Sequence, residues 1–135
     1  MNPKYSKIIE LAQALYQNDF ELRTQHFSFI YLKKRLISVG RNSAKTNPTN
    51  LFNPRRGNDG VTITDKGTCS ELAACLKLKN LTNIRTDRCD LFNVRIDKNN
   101  KIAMSAPCPS CSSLLRYFKF KGVYYTNEGA RFERY

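Results

Sequence analysis

The sequence predicts an α/β protein in which helices cover both faces of one mixed sheet of about five strands, a three-layered α/β/α sandwich. Helical and strand-like segments alternate through the middle of the chain. With 135 residues, 41% of them hydrophobic, the chain is long enough to bury the core of one domain. No repeat or low-complexity tract divides it, so we expect a single domain over residues 1–135.

The first part of the chain predicts a helix and a β-hairpin. Two β-prone runs flank Lys33-Lys34-Arg35 and are interpreted as the hairpin strands. Residues 41–60 are rich in Asn, Pro and Gly, which is typical of a long loop. The helix is predicted within residues 4–17, where apolar residues recur at helical spacing: Ile8, Leu11, Ala12 and Leu15.

Residues 67–80, GTCSELAACLKLKN, predict a second helix from about Cys69 to Lys79. Its start fits a capping box, in which Thr68 and Glu71 satisfy each other's backbone donors. The buried stripe of this helix would consist of four residues: Leu72, Ala73, Cys75 and Leu76.

The last part of the chain predicts two extended runs, a helix and a closing hairpin. DLFNVRID has strand character, DKNNK forms a turn, and KIAMSA is a second extended run that leads into PCPSC. A third helix, SSLLRYFKF, ends at Gly122. VYYT and ARFERY, separated by the turn-forming NEG, predict a β-hairpin at the end.

The chain is strongly basic. Lys and Arg total 23 against 11 acidic residues, a net charge of +12. Such a charge attracts polyanions, whether nucleotides, nucleic acid or an acidic protein surface. The cations are scattered along the sequence, so a solvated basic face is an equal alternative.

The cysteine pattern favours metal binding or buried thiols over disulfides. The five cysteines are an odd number, and the sequence has neither a secretion signal nor a membrane span, so we expect a cytoplasmic protein without a membrane partner. Cys108 and Cys111 have a C-x-x-C spacing suited to zinc, and Cys69 at another helix start would be a third ligand. Three ligands leave one position for water, which is the catalytic arrangement, and Glu71 could exchange protons with that water.

These motifs resemble those of the zinc-dependent cytidine and deoxycytidylate deaminase superfamily, C-x-E or H-x-E followed by P-C-x-x-C. Cys69-Ser70-Glu71 and Pro107-Cys108-Pro109-Ser110-Cys111 match them, and the order of predicted elements agrees over nearly the whole chain. The resemblance implies a cytidine deaminase-like fold and one zinc ion per chain. It makes Cys69, Cys108 and Cys111 the ligands and Glu71 the proton carrier.

The resemblance also implies a reaction, the hydrolysis of the amino group at C4 of a cytosine to give uracil and ammonia. Gly40-Arg41-Asn42 resembles a family turn whose Asn contacts the substrate sugar, although G-x-N also ends ordinary strands. Arg55 and Arg56, in the long loop, are candidates for contacts with a substrate phosphate.

The substrate class stays open between a nucleoside, a nucleotide and single-stranded nucleic acid. His26 is the only histidine and lies far upstream, so the ligand shell is all cysteine, which resembles the branch acting on free nucleosides. The short closing hairpin indicates the same branch, whereas the net charge of +12 suits a larger anion. Relatives of this fold are often homo-oligomers, which the resemblance implies here as well.

Two other interpretations use the same residues. A closed structural zinc site would need a fourth cysteine, and Cys89 is the candidate because Cys75 faces away on its helix. Alternatively, the deaminase fold serves mainly as a basic nucleic-acid-binding or assembly component with a structural zinc. Its surface would interleave aromatic and cationic residues: Arg116, Tyr117, Phe118, Lys119, Phe120 and Lys121.

Overall fold

In the computed structural model, which describes residues 3–16, 24–42, 69–78, 85–106 and 115–135, six strands form one mixed sheet. A short 3₁₀ turn spans Thr86–Arg88, and residues 115–118 are helical. The other elements in chain order are α1 (Pro3–Leu15), β1 (Gln25–Leu32), β2 (Arg35–Arg41), α2 (Ser70–Leu78), β3 (Cys89–Ile96), β4 (Ile102–Ala103), β5 (Gly122–Thr126) and β6 (Phe132–Arg134).

The strand order in the sheet is β2-β1-β3-β5-β6, and β4 pairs with β3. The β3–β5 pair is parallel and the other pairs are antiparallel. This confirms the predicted mixed sheet, and the two-residue β4 accounts for the sixth strand. The predicted hairpin of β1 and β2 and the closing hairpin of β5 and β6 are both present.

Each face of the sheet packs against one helix, as a three-layered sandwich requires. Because side chains alternate along a strand, β1 directs Phe27 and Phe29 to one core and Ile30 to the other. The first core includes Ile8 and Ala12 of α1, as the helical spacing predicted. The second core contains residues of α2, of β1 and β3, and of the segment after residue 114: Ile30, Ala74, Cys75, Leu78, Cys89, Leu91 and Leu115.

The buried stripe of α2 differs from the prediction. Leu72 and Cys75 are buried as predicted, whereas the predicted Ala73 and Leu76 are only partly buried. The remaining buried positions are Ser70, Glu71, Ala74 and Leu78. A prediction based on hydrophobicity alone assigns a carboxylate to the solvent side, so it misplaces the buried face of a helix in which the carboxylate is buried. The helix is therefore turned so that its acidic residue faces inward.

Several predicted segments lie outside the described residues: most of the long loop (43–68), residues 79–84, and 107–114 with the start of the third helix. None of the described helices is long and apolar enough to cross a membrane.

Candidate active site

Helix α2 begins beside the first predicted zinc ligand. The Cys69 carbonyl accepts a hydrogen bond from the Ala73 backbone N–H at 3.0 Å, so Cys69 directly precedes the first turn. The Cys69 side chain is partly exposed, whereas Glu71 is only 6% exposed. The unsatisfied N–H groups of a helix start favour both a thiolate and a carboxylate. Thr68, the other half of the predicted capping box, lies outside the described residues, and the observed partner of the Glu71 carboxylate is Ser70.

Gly40 allows this helix start to lie directly on the sheet. A Cβ atom at Gly40 would lie 2.2 Å from the Ser70 carbonyl oxygen and 2.3 Å from the Ala74 backbone nitrogen. Any side chain would therefore push α2 away from β2. Since Gly40 pairs with Ser28 of β1, the same close approach brings Ser70 within reach of Ser28.

A chain of buried hydrogen bonds connects the Glu71 carboxylate with the central strand. Ser70 Oγ donates to Glu71 Oε1 at 2.9 Å, and Ser28 Oγ lies 2.8 Å from Ser70 Oγ. Ser28 Oγ in turn donates to Asn93 Oδ1 of β3 at 2.6 Å. All four residues are buried, so the carboxylate is held on one oxygen by groups that water does not reach.

His26 and Arg95 flank this chain on neighbouring strands, where they are paired in register. Burial lowers the pKa of His26 below its ordinary value, an effect that Arg95 reinforces and the Glu71 carboxylate opposes. His26 is therefore neutral at neutral pH. Arg95 donates through Nη1 to the Met104 carbonyl at 3.4 Å, and its buried Nε has no hydrogen-bond partner among the described residues.

The segment that leads to the second cysteine pair is anchored at the same place. Ser105, three residues before Cys108, donates from Oγ to the Asn93 carbonyl at 2.8 Å. The Ser105 hydroxyl also accepts a hydrogen bond from the Thr126 backbone N–H at 2.7 Å. The Asn93 backbone carbonyl thus binds Ser105, in the segment that leads towards Cys108. The Asn93 side chain binds the Ser28 hydroxyl, which is linked through Ser70 to Glu71.

Cys108 and Cys111 themselves lie outside the described residues, as do Arg55 and Arg56. Within the described ranges no three metal-binding side chains come together, since these ranges include only one of the three predicted ligands. Three thiols are a donor set that zinc accepts readily, and the partly exposed Cys69 at a helix start suits this role.

The remaining two cysteines belong to the core. Cys75 and Cys89 are both completely buried in the second core, among aliphatic side chains. Burial raises the pKa of the Cys89 thiol, as do the nearby carboxylates of Asp90 and Asp87. Cys89 lies four strand positions from Asn93, the residue of β3 that the hydrogen bonds link to Glu71, which is about 13 Å along β3. This position does not favour Cys89 as a fourth ligand.

Asn42 holds the edge of the sheet together. Its Oδ1 accepts a hydrogen bond from the His26 backbone N–H at 2.9 Å, and its Nδ2 donates to the Thr24 carbonyl at 3.3 Å. These are the contacts of a strand end. A contact between Asn42 and a substrate sugar stays a prediction.

Motif analysis missed Ser28, Asn93 and Arg95, residues of β1 and β3 that belong to the hydrogen-bond chain leading to Glu71 or flank it. One signal could have found two of them. Ser28 interrupts the run HFSFIYL and Asn93 the run DLFNVRI, and a polar residue inside a buried strand needs a specific partner.

Comparisons with known proteins agree with this architecture. The sequence matches no protein-family model and no curated protein. The chain is similar in structure to the dCMP deaminase from the cyanophage S-TIM5 in its apo form, with a TM-score of 0.55 and 18% identity over 94% of this chain and 86% of that chain. A cytidine deaminase from Mycobacterium leprae has a TM-score of 0.48 and 14% identity, over 95% of this chain and 87% of that one. The first similarity confirms the predicted cytidine deaminase-like fold.

Proposed function

We propose that this chain, which has the fold of a dCMP deaminase, is a zinc-dependent enzyme that hydrolyses a cytosine base to uracil and ammonia. Cys69, Cys108 and Cys111 would hold one zinc ion, and Glu71 would carry protons. The proposal joins the motif pattern of the sequence to the fold similarity.

The observation that carries the proposal is that helix α2 and the segment that leads to the second motif are both anchored on Asn93. From its side chain, hydrogen bonds run through Ser28 and Ser70 to Glu71. Its backbone carbonyl receives the Ser105 hydroxyl, three residues before Cys108. Segments that are far apart in sequence thus start from one buried anchor, which supports a shared site between them.

The zinc ion, when bound, would lower the pKa of a water molecule so that it can act as a nucleophile near neutral pH. Glu71 would accept the proton that this water loses and deliver it to the ring nitrogen of the base. The water oxygen would form its bond to C4 in this step. Glu71 would then move the remaining proton of that oxygen to the amino group, so that the C4–N bond breaks, a C4 carbonyl remains and ammonia leaves. Among the described residues Ser70 contacts only Oε1, and we propose that the second carboxylate oxygen makes these transfers.

The base would be carried by a nucleoside, a nucleotide or a single strand. The antiparallel closing hairpin of β5 and β6 supports the free-nucleoside branch that the resemblance indicated. Arg55 and Arg56 are proposed to contact a phosphate if the substrate has one, and Asn42 a sugar. A homo-oligomer is proposed from the resemblance alone.

The test is a parallel assay of ammonia release from cytidine, deoxycytidylate, single-stranded DNA and single-stranded RNA by the zinc-loaded protein. We expect release from at least one of them. Glu71→Ala should retain one zinc per chain and its fold but lose ammonia release, because the proton carrier is gone. If the unmutated, zinc-loaded protein releases ammonia from none of the four, the proposed function is wrong.

A further inference from the structure

A basic groove lies at the opposite end of the sheet from Glu71. It has a volume of about 590 Å³ and is lined by Leu32, Lys33, Lys34, Arg35, Arg85 and Arg88. Five of these six described lining residues are cationic and none is acidic. The sequence had suggested scattered charges, but the fold collects them.

Strand pairing explains how distant cations meet. Leu32 at the end of β1 pairs with Cys89 at the start of β3. The turn residues Lys33 and Lys34 therefore emerge beside Arg88, which directly precedes β3. The register of the sheet brings the backbone positions of these cations together, so their proximity does not depend on particular side-chain rotamers.

The groove keeps most of its positive charge. Arg85 pairs with Asp87 through two hydrogen bonds, of 3.2 Å from Nε and 2.7 Å from Nη2. This neutralises one cation, in an ion pair exposed to solvent. Lys34, Arg35 and Arg88 are also exposed, so their charges act on the solvent side of the groove.

The hairpin turn places Lys33 in a backbone conformation that is unfavourable for lysine. Lys33 has a φ of 58°, in the left-handed region that glycine and asparagine adopt more easily. The hairpin thus carries a long cationic side chain at a position where a small turn residue would fit with less strain.

A second surface with cations and aromatic rings adjoins the groove. Thr86, in the turn between Arg85 and Arg88, donates through its hydroxyl to the Phe118 carbonyl. Tyr117 in that segment is 64% exposed. A smaller cavity of about 300 Å³ there is lined in part by Arg116, Lys119, Phe120 and the exposed Tyr135.

We propose that this groove binds the phosphate backbone of single-stranded nucleic acid, and that the exposed Tyr117 beside it stacks on a base. Clustered cations beside exposed aromatic rings are the combination that single strands require, and it is sequence-tolerant. The groove is separate from the candidate active site: the five residue steps from Ser28 to Lys33 span about 16 Å of strand and turn. The proposal does not depend on deaminase activity.

The test uses a fluorescently labelled oligo(dT) of about 15 nucleotides, a length suited to such surfaces. It contains no cytosine, so the proposed catalytic site does not recognise its bases. Binding is measured by fluorescence anisotropy for the unmutated chain and for the triple variant Lys34→Ala/Arg35→Ala/Arg88→Ala. The matched control, Lys7→Ala/Lys98→Ala/Lys101→Ala, removes three exposed cations elsewhere and has the same net charge.

Each phosphate contact to a single strand contributes a salt exponent of about 0.7, which amounts to about 5-fold in affinity at about 0.1 M salt. If all three cations of the groove variant contact phosphates, its affinity falls roughly 100-fold and its salt dependence becomes shallower by about 2. The control variant should bind within a few-fold of the unmutated chain.

Three results would overturn the proposal. Equal losses in the groove and control variants would show that only the overall charge matters. Equal or tighter binding of a duplex of the same length would rule out a single-strand surface. Displacement of the oligonucleotide by millimolar inorganic phosphate at constant ionic strength would show that the groove takes one isolated phosphate instead.

Discussion

Ser28→Ala tests whether the buried hydrogen-bond chain positions the Glu71 carboxylate. Ser28 is fully buried, and its hydroxyl lies 2.6 Å from Asn93 Oδ1 and 2.8 Å from Ser70 Oγ. Alanine leaves the Asn93 oxygen without this donor in a place where water does not reach it. An unsatisfied buried polar group costs about 1–3 kcal/mol, so we expect a loss of about 2 kcal/mol in the free energy of unfolding.

Urea denaturation measures the stability part of this prediction. With an m-value of about 2 kcal/mol/M, the midpoint should fall by about 1 M. In the same variant Ser70 loses its hydrogen-bond partner Ser28, so the Glu71 carboxylate that Ser70 contacts can shift. Displacements of a reacting group reduce catalytic rates by roughly 10- to 100-fold. We therefore expect a lower kcat for ammonia release at a nearly unchanged KM and an unchanged zinc content.

The matched control is Ser38→Ala. Ser38 is also a buried serine, and its hydroxyl donates to the Ala74 carbonyl of the same helix at 2.8 Å, away from the carboxylate. This variant should lose stability while its kcat per folded molecule is retained. Equal kcat values for Ser28→Ala and Ser38→Ala would refute the positioning role of the chain, whatever their stabilities.

Three further predictions address the fold, the histidine and the buried cysteine. Gly40→Ala should lower the free energy of unfolding by about 3 kcal/mol in urea, because its Cβ would lie 2.2 Å from the Ser70 carbonyl oxygen, whereas Gly129→Ala, whose nearest contact is 3.3 Å, should cost far less. His26 has a lowered pKa in the folded chain and faces Glu71 of α2 and Arg95 of β3, so the unfolded chain binds more protons below the ordinary value of 6.5. Stability should therefore fall as the pH drops through and below 6.5, and unfolding curves of His26→Gln should show a weaker pH dependence. Cys89→Ser should still bind one zinc per chain by elemental analysis, since Cys89 lies in the second core, and loss of the metal would instead support a closed four-cysteine site.

Local patterns predicted most elements of the fold. The hairpins around Lys33-Lys34 and around NEG were found because turn residues and alternating strands are local signals. The buried stripe of α2 was right for Leu72 and Cys75 only, since burial of Glu71 depends on partners in other strands. The residues around Glu71 were missed for the same reason: Ser28 lies 42 positions from Ser70 and 65 from Asn93.

The sequence by itself determined the class of fold, the residues with the chemistry of a zinc deaminase motif and the sign of the surface charge. These follow from residue type, periodicity and short spacing, which are properties of neighbouring positions. Only the tertiary structure decided that two serines and an asparagine hold Glu71, that Cys89 is a core residue, and that scattered cations line one groove. Each of these depends on the register of β1 against β2 and β3 and on the close approach of α2 over Gly40. Contacts of this kind join residues far apart in the chain, and they exist only once the sheet has assembled.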